Sequence, residues 1–499
     1  MSNEMLSIFN QITAIPHGSG NTNKMQRFIE SFAKKYGYAI KQDKAGNLLA
    51  HRERAQPKIC LQSHYDMVCV GLAAQNAPLT LVYDKTNKDG IEKTWLKAQD
   101  SSLGADNGMG MAIMMYFMTK NINAEFLFTN DEEIGMIGAK NLEIPIESKI
   151  LINLDSEVLG EITVGCAGGF DCSFKSDFEI QEIPSHWHRY ILQSHNFAGG
   201  HSGLDINNPK PEFQNAILAS ATFLYHLTQN KDNPITQPLY IINWKGGEKR
   251  NSIPVNSKII LATPQQLDLE SINTQSDRFF SMQKLRHATN ENLNHENKSR
   301  KTHALTFNTL YDVITSMHLG VLEKRGENVQ SSLNLSHIFF DNGHLEMAFM
   351  GRANTKKLLD SNLEALQATL SQSYINQIPN TLALQTNEYY SPWERYKSQN
   401  TQSLSPHSNF QKILDSMLQS MESKLHHLHI KPKVVELHAG LECGVLLSCF
   451  QNMGLQDIIA LSVGPTINSP HSLNECVWIE SAEVLLVILE DFITKISQT

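Results

Sequence analysis

A set of acidic and imidazole side chains in the first third of the chain could together hold a cation. His64 and Asp66 form an H-x-D pair in SHYDM, Asp106 stands among the glycines of SSLGADNGMG, Glu132 and Glu133 are adjacent in TNDEEIGMIGA, and Asp155 follows LINL. Adjacent carboxylates repel and favour their neutral forms, so keeping Asp131, Glu132 and Glu133 together where a strand ends calls for a counter-charge. On an extended segment residues two apart point the same way, so His64 and Asp66 can converge. Taken alone they would be an ordinary strand-end pair. Asp106 could bridge two cations while its glycine neighbours let the backbone come close, or it could cap the helix that follows. Capping does not account for such residues after successive strands, whereas one charged centre does. Oxygen and imidazole donors without thiolates suit zinc, manganese or cobalt. Two such ions, roughly 3.5 to 4 Å apart and bridged by a carboxylate and a hydroxide, form a hydrolytic arrangement. Each ion acidifies the shared water, and a carboxylate that is not a ligand can take its proton. Of the adjacent glutamates, one can then be ligand and the other base.

The elements expected to position these residues alternate. MLSIFNQI and NKMQRFIESFAKKYG have helical spacing, KICLQ is a short strand, GMGMAIMMYFM a buried helix, and AEFLF and KILINL are further strands. This alternation implies an α/β layer with a largely parallel sheet, in which ligands bind beyond the carboxyl ends of the strands. KICLQ leads to Ser63, His64, Tyr65 and Asp66, AEFLF leads to the acidic triplet, and KILINL leads to Asp155, Ser156 and Glu157. Near residue 187 the texture changes to extended stretches such as RYILQSHNF and PLYIINW. A polar segment from Ser281 to Thr302 reads as loop or weakly ordered helix. FFDNGHLEMAFMGR turns at Asp341, Asn342 and Gly343, a hairpin signal, and Pro392 marks the end of this region. After about residue 400 the α/β texture returns with NFQKILDSMLQSM as helix, VVELH and DIIALSV as strands, and a terminal helix in ESAEVLLVILEDFITKIS. The expectation is a discontinuous α/β domain, 1–186 and 397–499, interrupted by an α+β domain over 187–396.

Composition narrows the partners. The 499 residues are enough for two to four domains. With 42 Lys plus Arg against 51 Asp plus Glu, the net charge of -9 opposes non-specific binding to nucleic acid or anionic membrane. No apolar run reaches the roughly 18 residues of a membrane span, and MSNEMLSIFNQITAIPHGSG lacks the pattern of a secretory signal. The seven cysteines are scattered without a C-x-x-C pair, so neither a disulfide framework nor a thiolate metal site is indicated. A cytoplasmic protein acting on a small molecule is expected.

The motifs QSHYDMV, LGADNGMG, TNDEEIGMIGA, LINLDSE with VGCAGG, GGHSG, RNSIP, HAGLECG and SVGPTINSPHS, in this order, resemble those of the M20 metallopeptidase family, and within it the aminoacyl-histidine dipeptidase branch. The resemblance runs from about residue 10 to the C-terminus. It implies a di-metal exopeptidase whose catalytic domain is interrupted by a lid domain that closes over the substrate. By that resemblance His64 and Asp155 each bind one of two divalent ions, Asp106 bridges them, Glu133 is the further acidic ligand and His471 in SPHSLNE the last. His438 in HAGLECG is a competing candidate that ranks lower. Glu132 is implied as general base to a metal-bridging hydroxide, and Asp66 as the partner that fixes the His64 tautomer. His201 in GGHSG would stabilise the oxyanion, acting within its own subunit or across a homodimer. Asn251 in RNSIP and Arg352 in MGRAN would be further substrate contacts, Arg352 suiting a carboxylate, and Glu442 with His438 in HAGLECG would also line the substrate site. The implied activity is hydrolysis of unblocked dipeptides, including Xaa-His and carnosine-like ones. The alternatives are an N-acyl amino-acid deacylase, a tripeptidase, or a non-catalytic binding protein on the same fold. The histidines of KLHHLHI, and His186 and His188, read as surface or hinge residues, and the methionines of GMGMAIMMYFM as core.

Overall fold

Short apolar strands, each followed by a turn and a helix, assemble the first unit around a buried sheet. The computed structural model describes residues 2–88, 91–229, 235, 238–276, 278–285, 302–372, 381–395 and 405–498. The chain divides into two compact units, one formed by Met1–Cys166, Trp393–Leu437 and Leu441–Thr499, the other by Ala167–Pro392 and His438–Gly440.

In the first unit the strands follow one another across the sheet as Ala39–Gln42, Leu48–His51, Glu125–Thr129, Ile59–His64, Ile150–Asn153, Ile459–Ser462, Glu161–Cys166 and Lys433–Leu437. Ile59–His64 is parallel to both its neighbours, and Ile150–Asn153 is parallel to Ile459–Ser462. The antiparallel pairs include Ala39–Gln42 with Leu48–His51 and Leu48–His51 with Glu125–Thr129. Every residue of Ile59–His64 is buried, as expected of a central parallel strand covered on both faces. The register matters for chemistry. His64 lies opposite Thr129, and Gln62 opposite Asn153, so three adjacent strands end at one level and their next residues share one rim.

The helices packed on this sheet follow from spacing. Asn23–Lys35 buries Met25, Ile29, Phe32 and Ala33, one stripe of the helical period, and carries Lys34 and Lys35 in its last turn, where the helix dipole favours cations. Ala105–Thr119 is buried nearly all round, and its methionines 109, 111, 114, 115 and 118 are core, as read from the sequence. The terminal helix Ile479–Gln498 buries Leu485, Leu489, Phe492 and Ile496. Fully burying side chains of this kind contributes about 1.5–3 kcal/mol each. A small separate sheet pairs Leu81–Lys88 with Ile91–Ala98, and Ile91–Ala98 in turn with Cys476–Trp478.

The second unit is built on an antiparallel sheet in which Gly168–Asp177 lies between His344–Ala353 and Thr381–Tyr390. The expected hairpin is present: Asp341 pairs with His344, and Asn342 and Gly343 at the turn both have left-handed φ, +47° and +85°. Helices Ala216–Gln229, Phe307–Ser316 and Lys356–Gln372 belong to the same unit, so it has the α+β class expected.

Its limits differ from the expected 187 and 396. Residues 167–186 belong to the second unit because Gly168–Asp177 is paired on both sides within its sheet; the change of texture near 187 follows composition rather than pairing. At the other end Trp393 pairs with Cys166 in the first unit, so the crossover falls at Pro392. The expected boundary at 396/397 lies outside the described residues. Of the polar segment Ser281–Thr302, the start belongs to strand Phe280–Lys284, and 286–301 also lie outside them. Among the described residues no helix is long and apolar enough to cross a membrane.

Candidate metal centre

The shared strand rim of the first unit gathers the residues read from the motifs. His64 Nε2 is 3.1 Å from Asp106 Oδ1 and 3.3 Å from Asp155 Oδ1. His471 Nε2 is 3.1 Å from Asp106 Oδ2 and 2.9 Å from Glu133 Oε1. Two donor triads result, His64 with Asp106 and Asp155, and Asp106 with Glu133 and His471; within each, the donor atoms lie within 4.8 Å of one another. Asp106 belongs to both and presents a different oxygen to each. A third grouping, His64 with Glu132 and Glu133, puts Glu132 beside the same centre.

Local structure explains the convergence. Asp106 and Asn107 leave helical geometry at the start of Ala105–Thr119. The Asn107 side chain donates to Asp155 Oδ1 at 2.7 Å, linking two of the loops. Asp66 lies beneath the acidic loop, its carboxylate accepting the Glu132 and Glu133 backbone N–H groups at 2.9 and 3.2 Å and the Ser19 hydroxyl at 2.7 Å. The expected contact between this carboxylate and His64 is longer, 3.5 Å. The partner at hydrogen-bonding distance of His64 Nδ1 is the Asp66 carbonyl oxygen, at 3.0 Å. A carbonyl can only accept, so it places a hydrogen on Nδ1, and it is the Nε2 lone pair of the neutral ring that would face Asp106 and Asp155. Asp131, read as a structural acid, accepts the Gly20 N–H at 2.6 Å.

The electrostatics are those of a cation site. Burial would lower the basicity of His64, but Asp155, Asp106 and Asp66 reverse it and raise its pKa well above the ordinary imidazole value. For His471 the same opposition, burial against Asp106 and Glu133, ends at about 11. Burial followed by the charge of Glu133 pushes the Glu132 carboxyl well above the usual carboxylate range. Burial, and the Asp106 charge against the attraction of His64, bring Asp155 up to about 7. Glu157 is pushed to about 8 by burial, Asp106 and Asp155. Glu133 Oε1 is buried and accepts no well-aligned hydrogen bond among the described residues despite the nearby His471 nitrogen. Several carboxylates with imidazole nitrogens aimed among them, and no thiolate, are a donor set that fits divalent zinc, manganese or cobalt, three protein donors to each ion.

The second unit holds a different cluster. His201 sits in the short strand Gly200–His201 paired with Ser252–Ile253, so GGHSG and RNSIP are hydrogen-bonded neighbours. Its Nδ1 accepts the backbone N–H groups of Gly203 and Leu204 at 3.2 and 3.1 Å, which puts the ring hydrogen of the neutral form on Nε2. Arg352 Nη2 lies 3.1 Å from that Nε2. Two donors therefore stand side by side, an arrangement that suits one anionic oxygen accepting from both. Arg352 is no surface residue, being 3% exposed. Its other nitrogens donate to Tyr390 Oη at 2.8 Å and face Ser202 Oγ at 3.4 Å. The Asn251 side chain is exposed, and its carbonyl accepts the Ser202 N–H.

Two expectations from HAGLECG change. Both His438 ring nitrogens are engaged, Nε2 with Ser332 Oγ at 2.8 Å and Nδ1 with Asn354 Oδ1 at 3.0 Å. Burial and the Arg352 charge lower its pKa to about 4. A buried neutral ring with both nitrogens bonded inside the protein is a packing element, and His438 joins no metal triad among the described residues. Glu442 is fully buried, its Oε2 accepting from Gln62 at 2.6 Å and Thr129 at 2.7 Å, while Oε1 has no hydrogen-bond partner among the described residues. Burial brings its carboxyl up to about 7.

Tyr390 escaped the sequence reading. A Cβ on Gly169 would come within 2.5 Å of its hydroxyl, and one on Gly440 within 3.0 Å of its ring, so glycines of VGCAGG and HAGLECG leave room for the tyrosine that holds Arg352. The available signal was only that a buried arginine needs acceptors. Glu475 was missed as well, although it stands four residues after His471 in the quoted SPHSLNE.

No family model matches the chain. It is 27% identical over 514 aligned positions to the cytosol non-specific dipeptidase of Escherichia coli (strain K12), covering 98% of this chain and 96% of that protein. Among solved structures it is similar to the aminoacylhistidine dipeptidase of Vibrio alginolyticus, with a TM-score of 0.67, 24% identity and coverage of 98% and 96%. It is also similar to a tripeptidase of Staphylococcus aureus, with a TM-score of 0.56, 13% identity and coverage of 100% and 99%. These two structural likenesses establish the fold, and the family resemblance read from the motifs is borne out along the chain.

Proposed function

We propose that this chain, a relative of the M20 metallopeptidases over nearly its whole length, is a metal-dependent dipeptidase that hydrolyses the peptide bond of unblocked dipeptides. The observation that carries the reading is the pair of donor triads sharing Asp106, with Glu132 beside them. The full-length similarity to a protein named as a dipeptidase supports the substrate class, and that relative's cytosolic description supports a cytoplasmic location.

In this reading His64 and Asp155 would hold one divalent ion, Glu133 and His471 the other, with Asp106 contributing to both. Ions held there would supply Lewis acidity that lowers the pKa of water and polarises the scissile carbonyl. Glu132 takes the proton released as that carbonyl is attacked and returns it to the leaving amine, a task suited to a carboxylate whose proton affinity burial and Glu133 have raised. Asp66 keeps Glu132 and Glu133 in place through their backbone N–H groups. We infer that the Arg352 guanidinium receives the substrate's terminal carboxylate and that His201 Nε2–H donates to the oxyanion of the tetrahedral intermediate. Zinc is the preferred ion, with manganese or cobalt acceptable to the same donors.

The full chain supplied with zinc or manganese is expected to cleave a panel of free dipeptides, Xaa-His and β-alanyl-histidine among them, and to leave N-acetyl amino acids intact. Faster cleavage of N-acetyl amino acids or of tripeptides would replace this reading with a deacylase or tripeptidase. A protein that retains no divalent ion after dialysis against either metal would return it to the binding-protein class.

Tyr390→Phe is expected to raise KM for a good dipeptide about tenfold, equivalent to about 1.5 kcal/mol, the lower end for a hydrogen bond to a charged group. Its kcat should change little, because the lost hydroxyl orients Arg352 and touches no reacting atom. An unchanged KM in steady-state kinetics would separate Tyr390 from substrate binding.

A further inference from the structure

Glu475 belongs to no candidate metal triad among the described residues, and its position is nevertheless unusual. It is 2% exposed. Its Oε2 accepts the backbone N–H groups of Leu103 at 2.9 Å and Gly104 at 3.2 Å, and its Oε1 those of Ala105 at 2.7 Å and Asp106 at 3.4 Å. Four consecutive N–H groups around one carboxylate fix the turn that delivers Asp106. A helix cap ordinarily comes from the residue just before the helix; here it comes from 369 to 372 positions further along the chain.

The other end of this link is His471. The segment between strands Ile467–Asn468 and Cys476–Trp478, which pair with each other, is a hairpin loop carrying His471. Ser469 and His471 both have left-handed φ, +51° and +59°. The loop is tied to itself by Ser472 Oγ, which donates to the Ser469 carbonyl at 2.7 Å and accepts the Asn474 N–H at 3.1 Å. The His471 side chain is 46% exposed, so little packing surrounds the imidazole and its location depends on where the loop is anchored. Glu475 supplies that anchor, on the very turn that carries Asp106.

We propose that Glu475 is a positioning residue that sets the distance between the Asp106 carboxylate and the His471 imidazole, and so controls the affinity of the Asp106, Glu133 and His471 site for its divalent ion, with little effect on the His64, Asp106 and Asp155 site. The inference rests on the di-metal reading above. Glutamine at 475 keeps the length but turns an amide N–H toward backbone donors, so at least one of the four hydrogen bonds is lost and the hairpin shifts away from Asp106.

The test is calorimetric titration of the metal-free full chain with manganese or zinc, for native protein, Glu475→Gln, His471→Ala and the double variant. Native protein is expected to bind two ions. Glu475→Gln should weaken one of them by about 10- to 100-fold, the range for residues that orient ligands, and leave the other within about threefold. High metal concentration should restore kcat in the single variant. Because Glu475 acts through His471, adding Glu475→Gln to His471→Ala should produce no further loss. Equal weakening of both sites, unchanged binding at both, or additive losses would overturn the proposal. If native protein binds no ion, the di-metal reading fails first; if it binds two and Glu475→Gln matches it, only the role of Glu475 fails. Should Glu475→Gln not fold, Glu475→Asp keeps the charge but falls one methylene short, and the same selective weakening is expected of it; native-like binding by that variant would equally overturn the proposal.

Discussion

Glu132→Gln should lower turnover of a good dipeptide by about 10²- to 10⁴-fold, the usual contribution of a positioned general base, while both ions stay bound. Glutamine preserves the shape of the side chain and its backbone hydrogen bond to Asp66 but has no oxygen that can carry a proton away. Burial and then the Glu133 charge already favour the neutral form of Glu132, so a neutral glutamine there changes the charge around the ions little. The measurement is kcat at saturating metal alongside metal content per chain. Activity within a factor of a few of native would assign the base elsewhere, with Glu157, also raised in proton affinity, as the next carboxylate to replace. Loss of an ion together with activity would make Glu132 a ligand.

Replacing the shared carboxylate should be more severe. Asp106→Ala removes an oxygen from each triad at once, since Oδ1 faces His64 and Oδ2 faces His471. Metal content should drop below one ion per chain, and activity by at least about 10³-fold, the equivalent of several kcal/mol of transition-state stabilisation. Asp155→Ala, which touches one triad, should lose a single ion. Thermal unfolding provides a second readout. The metal-free variant should be less stable than metal-free native protein, because the Asp106 carboxylate that pairs with His64 and His471 has gone. Added metal should raise the Tm of native protein far more than that of the variant, since only tight binding to the folded state stabilises it. Retention of two ions by Asp106→Ala would remove the bridge from the mechanism.

The ease with which each residue could be read from the sequence follows its relation to local structure. His64, the acidic triplet and Asp155 stand immediately after apolar strands, and strands that are parallel neighbours end at one rim, so period and strand order already bring them together. His471 lies 365 positions from Asp106 and reaches it through the pairing of Cys476–Trp478 with Ile91–Ala98, a contact that spacing does not encode. Only the family resemblance pointed to it. Histidines equally conspicuous in sequence went other ways. His438 became a buried, doubly hydrogen-bonded ring, while those of KLHHLHI, outside any strand-end pattern, joined no triad among the described residues.

Local periodicity and residue type determined the class of the fold, the strands that carry the acidic and imidazole residues, the hairpin at Asn342 and Gly343, and the kind of cation those residues would accept. Hydrophobic period and turn chemistry act over a few residues and can be read along the chain. Tertiary structure alone decided that Gly168–Asp177 belongs to the second unit, that Asp106 offers one oxygen to each histidine, that Tyr390, in space two glycines leave, holds Arg352, and that Glu475 ties the His471 hairpin to the Asp106 turn. Each of these depends on hydrogen bonds between groups far apart along the chain, whose geometry is set by how sheets and loops pack and not by the identity of neighbouring residues.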